Sequence, residues 1–344
     1  MSWSSSAAGR AFRIASPGHA CFAAVLIWLG AMGLSKGAFV QVWLPVPKWV
    51  PAREALAYLC AFISLASGIG LLWRRTAAVA ARVIFASLMV WLLVLRLPNL
   101  FFETPLVLVA WTFGSTGVMV AAAWVLYVWF AEGKGLRIAR ALYGLSLIPF
   151  GLAHFMYLDA TTVLIPGWLP WHVAWAYFTG AAFIAAGLAV TLGVYPRLAA
   201  ALSTLQMGLF SLIVWVPRVL AGPLNDFQWG EFVVTWALTA GAWVMADSYR
   251  GEPWLSQRER WKSPMEPGVF LAALLIFVGI PSFTILRIAR LRASRPQTST
   301  DVTDRLEAVE HRVEDLQQEL AETQERLDFA ERLLSKAREE KRIS

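Results

Sequence analysis

Nine mostly apolar stretches dominate the sequence, and each is about as long as a helix that crosses a membrane. Such a helix needs roughly 20 apolar residues for a hydrocarbon core about 30 Å thick. Hydrophobic residues make up 58% of the chain and charged residues 15%, which excludes a soluble globular protein. We therefore predict an all-α integral membrane protein. The predicted spans are 19–40, 54–73, 77–97, 106–130, 138–158, 171–193, 198–217, 229–249 and 268–287.

Basic residues in the connecting loops predict the orientation, because cytosolic loops are enriched in Lys and Arg. With the amino terminus inside, the outer loops carry mainly Lys48, Arg53, Arg96 and Arg218. The inner loops are richer and carry Arg10, Arg13, Arg74, Arg75, Lys134, Arg137, Arg140 and Arg197. We expect a multi-pass protein of the cell inner membrane with a cytoplasmic amino terminus. Basic residues flank the ninth stretch on both sides, so the side that carries the carboxyl-terminal tail stays open.

An internal repeat appears when the chain is shifted by 119 residues. The motif Pro47-Lys48-Trp49-Val50-Pro51 then aligns with Pro166-Gly167-Trp168-Leu169-Pro170. Further matches pair Ala57-Tyr58 with Ala176-Tyr177, Gly68 with Gly187, Pro98 with Pro217, and Trp124 with Trp243. This pattern predicts two tandem four-helix transmembrane units, 19–131 and 137–250. Four spans are an even number, so the two units are expected to run in parallel orientation.

The second unit resembles a known family. Its residues AHFMYLDATTVLIPGWLPWHVAWAYFTGAAFIAAGL, followed by RLAAAL and LIVWVPRVLAGP, are similar to DoxX-like membrane proteins. The resemblance implies a four-span unit and, for some relatives, thiosulfate–quinone or thiol redox chemistry. Members of that family often carry histidine where this chain has Phe183 and Trp215. The resemblance therefore does not transfer an activity.

Five polar residues of the second unit are the candidate ligand-binding residues, because ionisable groups in spans are costly and often functional. They map to the outer ends of predicted spans and are His154, Asp159, His172, Arg218 and Glu231. One interpretation is an outward-facing pocket in which His154 and Glu231 bind a small ligand or relay protons. The alternative is that these groups lie at headgroup level and fix the helix ends.

Other classes of site lack sequence support. No metal-ligand spacing, phosphate loop or catalytic motif is present, so we predict neither a metal nor a catalytic residue. Cys21 and Cys60 lie in apolar runs and are expected to be small buried hydrophobes. Outside residues 301–344 the chain has 22 bases and 10 acids. On a membrane protein this excess contacts anionic lipid, so nucleic acid is not an expected partner.

The carboxyl-terminal segment has a seven-residue period that predicts a coiled coil over 301–342. We expect a parallel homodimer or a partner coiled coil, with a single solvated helix as the alternative. The predicted seam includes Leu306, Val309, Val313, Leu316, Leu320, Leu327 and Leu334. The remaining parts are an amino-terminal tail (1–18), a linker (251–267) and a ninth transmembrane helix (268–290). From about 265 onward the chain resembles phage shock protein B, which implies a partner-binding tail.

These features favour a scaffold or adaptor without enzymatic activity, in which the duplicated unit anchors the chain and the tail dimerises or recruits a partner. The alternative is a membrane component of a redox system that binds a quinone or a sulfur-derived small ligand at the outer end of the second unit. The cofactor is unknown, and a quinone is the candidate. A small-solute carrier is disfavoured, because the sequence indicates no broken helices.

Overall fold

The computed structural model of the chain describes residues 14–102 and 106–256, and these residues form helices and no strand. There is one short 3-10 helix, Gln41–Trp43, and two π-helical segments, Leu92–Arg96 and Phe210–Trp215, continue the helices that end at Trp91 and Leu209. The helices are α1 (Pro17–Lys36), α2 (Arg53–Leu72), α3 (Ala77–Trp91), α4 (Asn99–Phe102), α5 (Leu106–Ala131), α6 (Leu136–Met156), α7 (Leu158–Thr162), α8 (His172–Leu192), α9 (Pro196–Leu209), α10 (Val216–Ala221) and α11 (Asp226–Asp247).

Seven helical stretches in the described part are long and apolar enough to cross a membrane. They are Pro17–Lys36, Arg53–Leu72, Ala77–Phe101, Val107–Ala131, Leu136–Met156, His172–Leu192 and Pro196–Ala221. This confirms an all-α, multi-pass membrane protein. The predicted ninth helix and the coiled coil, with all seven seam residues, lie outside the described residues.

The predicted eighth span, 229–249, corresponds to α11, which is long enough to cross but is not among the seven apolar stretches. Helix α11 can be less apolar than those seven stretches because it packs against α1, α5 and α9 at once. Between Gln228 and Asp247 the one exposed side chain is Trp243. A helix surrounded by protein can carry polar residues that a lipid-facing helix cannot, because neighbouring helices satisfy them.

Glycines allow helices within each half of the chain to pack with their backbones in close contact. A Cβ atom added at Gly30 of α1 would lie 2.4 Å from the backbone nitrogen of Leu65 in α2. In the second half, a Cβ atom at Gly187 of α8 would lie 2.5 Å from the carbonyl oxygen of Gly144 in α6. Small residues at such contacts are typical of helix pairs in membranes, where close van der Waals packing replaces the hydrophobic effect.

Corresponding elements of the first half (17–131) and the second half (136–247) lie at a constant interval. Helices α6, α8 and α9 begin 119 residues after α1, α2 and α3, respectively. Left-handed backbone conformations recur at the same interval, at Ala52 (φ 48°) and Trp171 (φ 57°), and at Glu132 (φ 55°) and Gly251 (φ 86°). Across the two halves, α1 packs on α11 and α6 packs on α5, while α5 and α11 contact each other.

Helices α1 and α6 begin at the same end of the bundle. The backbone N–H of Gly18, at the start of α1, donates to Oδ2 of Asp247 at the end of α11, at 2.9 Å. Arg140, near the start of α6, donates through Nε to Oγ of Ser248, at 3.2 Å. We call this the inner end and the opposite one the outer end, following the predicted orientation.

Candidate functional site

His154 lies near the outer end of α6 within a group of aromatic rings. Its ring centroid is 5.5 Å from that of Phe183 in α8 and 6.2 Å from that of Phe210 in the π segment of α9. The Nδ1–H donates to the carbonyl oxygen of Phe150, one turn earlier, at 2.7 Å. That bond leaves Nε2 as the ring nitrogen that can accept a hydrogen bond from a ligand.

Arg218 belongs to α10 and connects this helix to the loop after α7. Its Nη2 donates to the carbonyl oxygen of Val163 at 2.8 Å, and its guanidinium lies 5.7 Å from the ring of Trp215. The other terminal nitrogen, Nη1, is buried and has no hydrogen-bond partner in the described part. A buried donor without an acceptor costs about 1–3 kcal/mol, so this nitrogen is suited to an oxygen atom of a ligand.

Glu231 lies in the second turn of α11 and is half-buried. Its carboxylate forms neither a hydrogen bond nor an ion pair with any described residue. Ser211 and Thr239 lie 3.0 Å apart through their hydroxyl oxygens, which aligns α9 with the antiparallel α11. At about 1.5 Å per residue, Glu231 and Arg218 are then at a similar depth on neighbouring helices.

Asp159 and His172 are closer to the surface. Asp159 lies in α7 with an exposed side chain, and its carbonyl oxygen accepts from Oγ1 of Thr162 at 3.0 Å. His172 is the first residue of α8 and lines a shallow hollow beside Trp171 and Tyr177. Within the described residues, no hydrogen bond or ion pair joins any two of the five candidate side chains. Their joint role in ligand binding stays a prediction.

The corresponding region of the first half is built around Arg96, the residue 119 positions before Trp215. Arg96 is 1% exposed and donates to the carbonyl oxygens of Leu44 and Pro45 and to Oγ1 of Thr116. The charge pattern predicted Arg96 in an outer loop and did not predict its buried, hydrogen-bonded side chain. The available signal was its position at the end of a predicted span, where a charged side chain needs partners.

A second arginine system lies at the inner end. The guanidinium of Arg140 lies 3.8 Å from the ring of Tyr249 and pairs with Oε1 of Glu252 at 2.8 Å. Arg197 donates to the carbonyl oxygen of Glu252 and lies 4.1 Å from the ring of Trp254. We call residues 248–256 the inner strap, because these contacts fasten them to the starts of α6 and α9.

The thiols match the sequence-based expectation only in part. Cys60 is buried as predicted, whereas Cys21 is half-buried, and both are free thiols. Among the described residues, no group of three or more His, Cys, Asp or Glu side chains is placed to hold a metal ion.

Comparisons with known proteins give no family for this chain. No family model, no curated protein and no solved structure matches it significantly.

Proposed function

We propose that the protein is a membrane scaffold or adaptor, with the helical bundle as anchor and the tail at 301–342 as a dimerisation or partner-binding segment. The observation that carries this proposal is the inner strap. Arg140 and Arg197 hold residues 248–256 against the bundle, so the chain leaves α11 from a defined position. A fixed entry to the predicted ninth span would hold the anchor of the tail at one place beside the bundle, as an adaptor needs.

We further propose that the bundle consists of two tandem four-helix units in parallel orientation, each a DoxX-like unit. The constant interval of 119 residues between helix starts supports this, as do the left-handed residues at the same interval. The positions of α1 and α6, which begin at one end, are in agreement. The inner-membrane location and the cytoplasmic amino terminus belong to the same proposal and rest on the loop charges.

The scaffold proposal is tested by replacing one residue of the heptad seam. Leu320→Asp places a charge in the seam, and we expect the cross-linked dimer in membranes to be lost, as in a chain that lacks 301–344. Gln318→Asp is the matched control, because its heptad position points away from the seam. An undiminished dimer in both the Leu320→Asp and the truncated proteins would contradict tail-mediated dimerisation.

A second candidate function is a membrane component of a redox system, with a quinone or sulfur-derived ligand at the outer end of the second unit. The supporting observation is the set of unused polar groups, namely Nε2 of His154, Nη1 of Arg218 and the carboxylate of Glu231. A carbonyl ligand can accept from Arg218, and its reduced hydroxyl form can donate to Glu231.

This second proposal is tested by titrating purified protein with the reduced, dihydroxy form of a short-chain quinone, whose hydroxyl groups can donate to Nε2 of His154 and to the carboxylate of Glu231. We expect binding to weaken at least tenfold in Glu231→Gln, which loses about 1.4 kcal/mol or more of a charge-assisted contact. We expect it to weaken about fivefold in His154→Ala, which loses a hydrogen bond of about 1 kcal/mol to a neutral ring. Glu54→Gln is the matched control, because Glu54 is exposed and lies in the first half of the chain. The redox proposal would be contradicted if the unmodified protein did not bind the ligand, or if all variants bound it equally well.

A further inference from the structure

The outer loop of the second half, residues 157–171, exposes unusually large apolar side chains although it lies between two spans. Val163 is 75% exposed, Trp168 72% and Trp171 80%. Leu220, at the end of α10, is 81% exposed and belongs to the same end of the bundle. Several large apolar side chains exposed at one end of a folded protein indicate a contact with another apolar phase.

The loop is directly followed in the chain by α8, which also exposes apolar side chains. Helix α8 is one of the seven spans, and its outer turns expose Val173, Tyr177 and Phe178. A shallow hollow of about 780 Å³ lies between the loop and this helix, and its lining includes Leu169, Val173 and Tyr177. The apolar surface therefore extends from the hydrocarbon region onto the loop.

The backbone at Trp171 indicates that the exposed ring has a role. Trp171 has φ 57°, a left-handed conformation that is unfavourable for a bulky residue. The residue at the same interval in the first half is Ala52, which has the same conformation with a small side chain. A tryptophan at such a position costs free energy in the folded chain, and an amphipathic ring gains it back at a membrane interface.

We propose that loop 157–171 and the end of α10 are embedded in the lipid of the outer leaflet, with phospholipid filling the hollow beside α8. Trp168 and Trp171 then lie at the level of the headgroups, and Val163 and Leu220 contact acyl chains. Arg218 keeps the loop in this position through the carbonyl oxygen of Val163. The partner of this surface is a phospholipid, and not a second protein.

Spin labels test the proposal in the full-length chain. Cys21→Ala and Cys60→Ala remove the two native thiols, and single cysteines then replace Val163, Trp171 or Leu220. The labelled proteins are reconstituted in vesicles of phosphatidylethanolamine and phosphatidylglycerol. We expect molecular oxygen, which concentrates in lipid, to relax the labels at positions 163 and 220 more effectively than the water-soluble complex Ni(II)EDDA. The label at position 171, at headgroup level, should lie between these two and the water-exposed reference.

Two labelled positions calibrate the measurement. Phe178→Cys reports the lipid-facing side of α8, and Lys48→Cys reports an exposed charged position in the other outer loop. Labels that behave like Lys48→Cys would show contact with water and overturn the proposal. Labels shielded from both relaxing agents would show a covering protein surface, which would overturn it as well.

Discussion

Two outer loops of this protein, 37–52 and 157–171, lie at corresponding places in the chain and differ in how their first parts are packed. Residues 40–46 of the first loop are folded into the bundle, with Val40 4% exposed and Trp43 3% exposed, and we call this segment the cap. Further along, Trp49 is as exposed as Trp168, its counterpart in the second loop. The residues 119 positions after Val40 and Trp43 are Asp159 and Thr162, and no residue of α7 is buried. The comparison teaches that similar helix arrangements support a packed cap in one half and an exposed helix α7 in the other.

Aromatic packing and one arginine hold the cap of the first half in place. The ring of Trp43 meets that of Trp91 edge to face at 4.9 Å, and Nε1 of Trp91 donates to the carbonyl oxygen of Trp43 at 3.2 Å. The 3-10 helix thereby packs on α5 and α11, the two central helices. Helix α7, its counterpart in position, packs on α6 and α8 of its own half.

Trp43→Ala is expected to have the largest effect among the variants that test this difference between the loops. Truncating a buried tryptophan costs about 3–5 kcal/mol of the free energy of unfolding, because a large cavity is left behind. We expect Thr162→Ala, at the matching position, to cost within about 0.5 kcal/mol. Unfolding in mixed micelles by titration with sodium dodecyl sulfate measures both, and equal costs would show that Trp43 does not hold the cap.

Arg96→Leu is the next largest change. It leaves the carbonyl oxygens of Leu44 and Pro45 without their donor, and we expect a loss of about 3 kcal/mol in the same titration. The matched variant Arg218→Leu removes one carbonyl contact, to Val163, and should cost about 1 kcal/mol. If Arg218→Leu lost more unfolding free energy than Arg96→Leu, the second loop would be the more firmly held of the two, contrary to this comparison.

A smaller effect is expected for Gly230→Ala, where the cap touches α11. The new Cβ atom would lie 2.5 Å from Nε2 of Gln41, so the cap must shift at a cost of about 1 kcal/mol. Adding Gln41→Ala should restore stability, because the crowded side chain is then absent. Gly208→Ala is the control, since its nearest neighbour is 3.7 Å away, and it should be neutral or stabilising.

Val163→Ser gives the smallest change and sharpens the contrast between the loops. Val163 is 75% exposed, so we expect a cost within about 0.5 kcal/mol in micelles. Leu44→Ser, at the corresponding position of the first loop, should cost more, because Leu44 packs against the buried core. Identical costs would mean that the two loops are equally open.

The helices could be predicted from the sequence because proline and glycine mark their ends within uniformly apolar stretches. The predicted span 54–73 became α2, Arg53–Leu72, and 171–193 became α8, His172–Leu192. The role of Arg96 could not be predicted, since its acceptor at Leu44 is 52 residues earlier in the chain. Long-range hydrogen bonds of this kind follow from helix packing and leave no local periodicity.

The candidate site could also be predicted in part from the sequence. All five predicted residues lie at outer ends of helices in the second half, as helix length and chain direction imply. What composition could not reveal is which polar atoms are already used. The bond from His154 to Phe150 and the open Nη1 of Arg218 depend on side-chain directions that a span prediction does not contain.

The inner strap has a mechanical consequence. A pull on the chain beyond Ser256 reaches the bundle through Arg140 and Arg197, and therefore loads α6 and α9 before it loads the end of α11. Tyr195 adds a third attachment, since its backbone N–H donates to the carbonyl oxygen of Ser256 at 3.1 Å. Tension on the chain beyond Ser256 is thus carried by α6 and α9, and α11 is protected from being drawn out of the bundle.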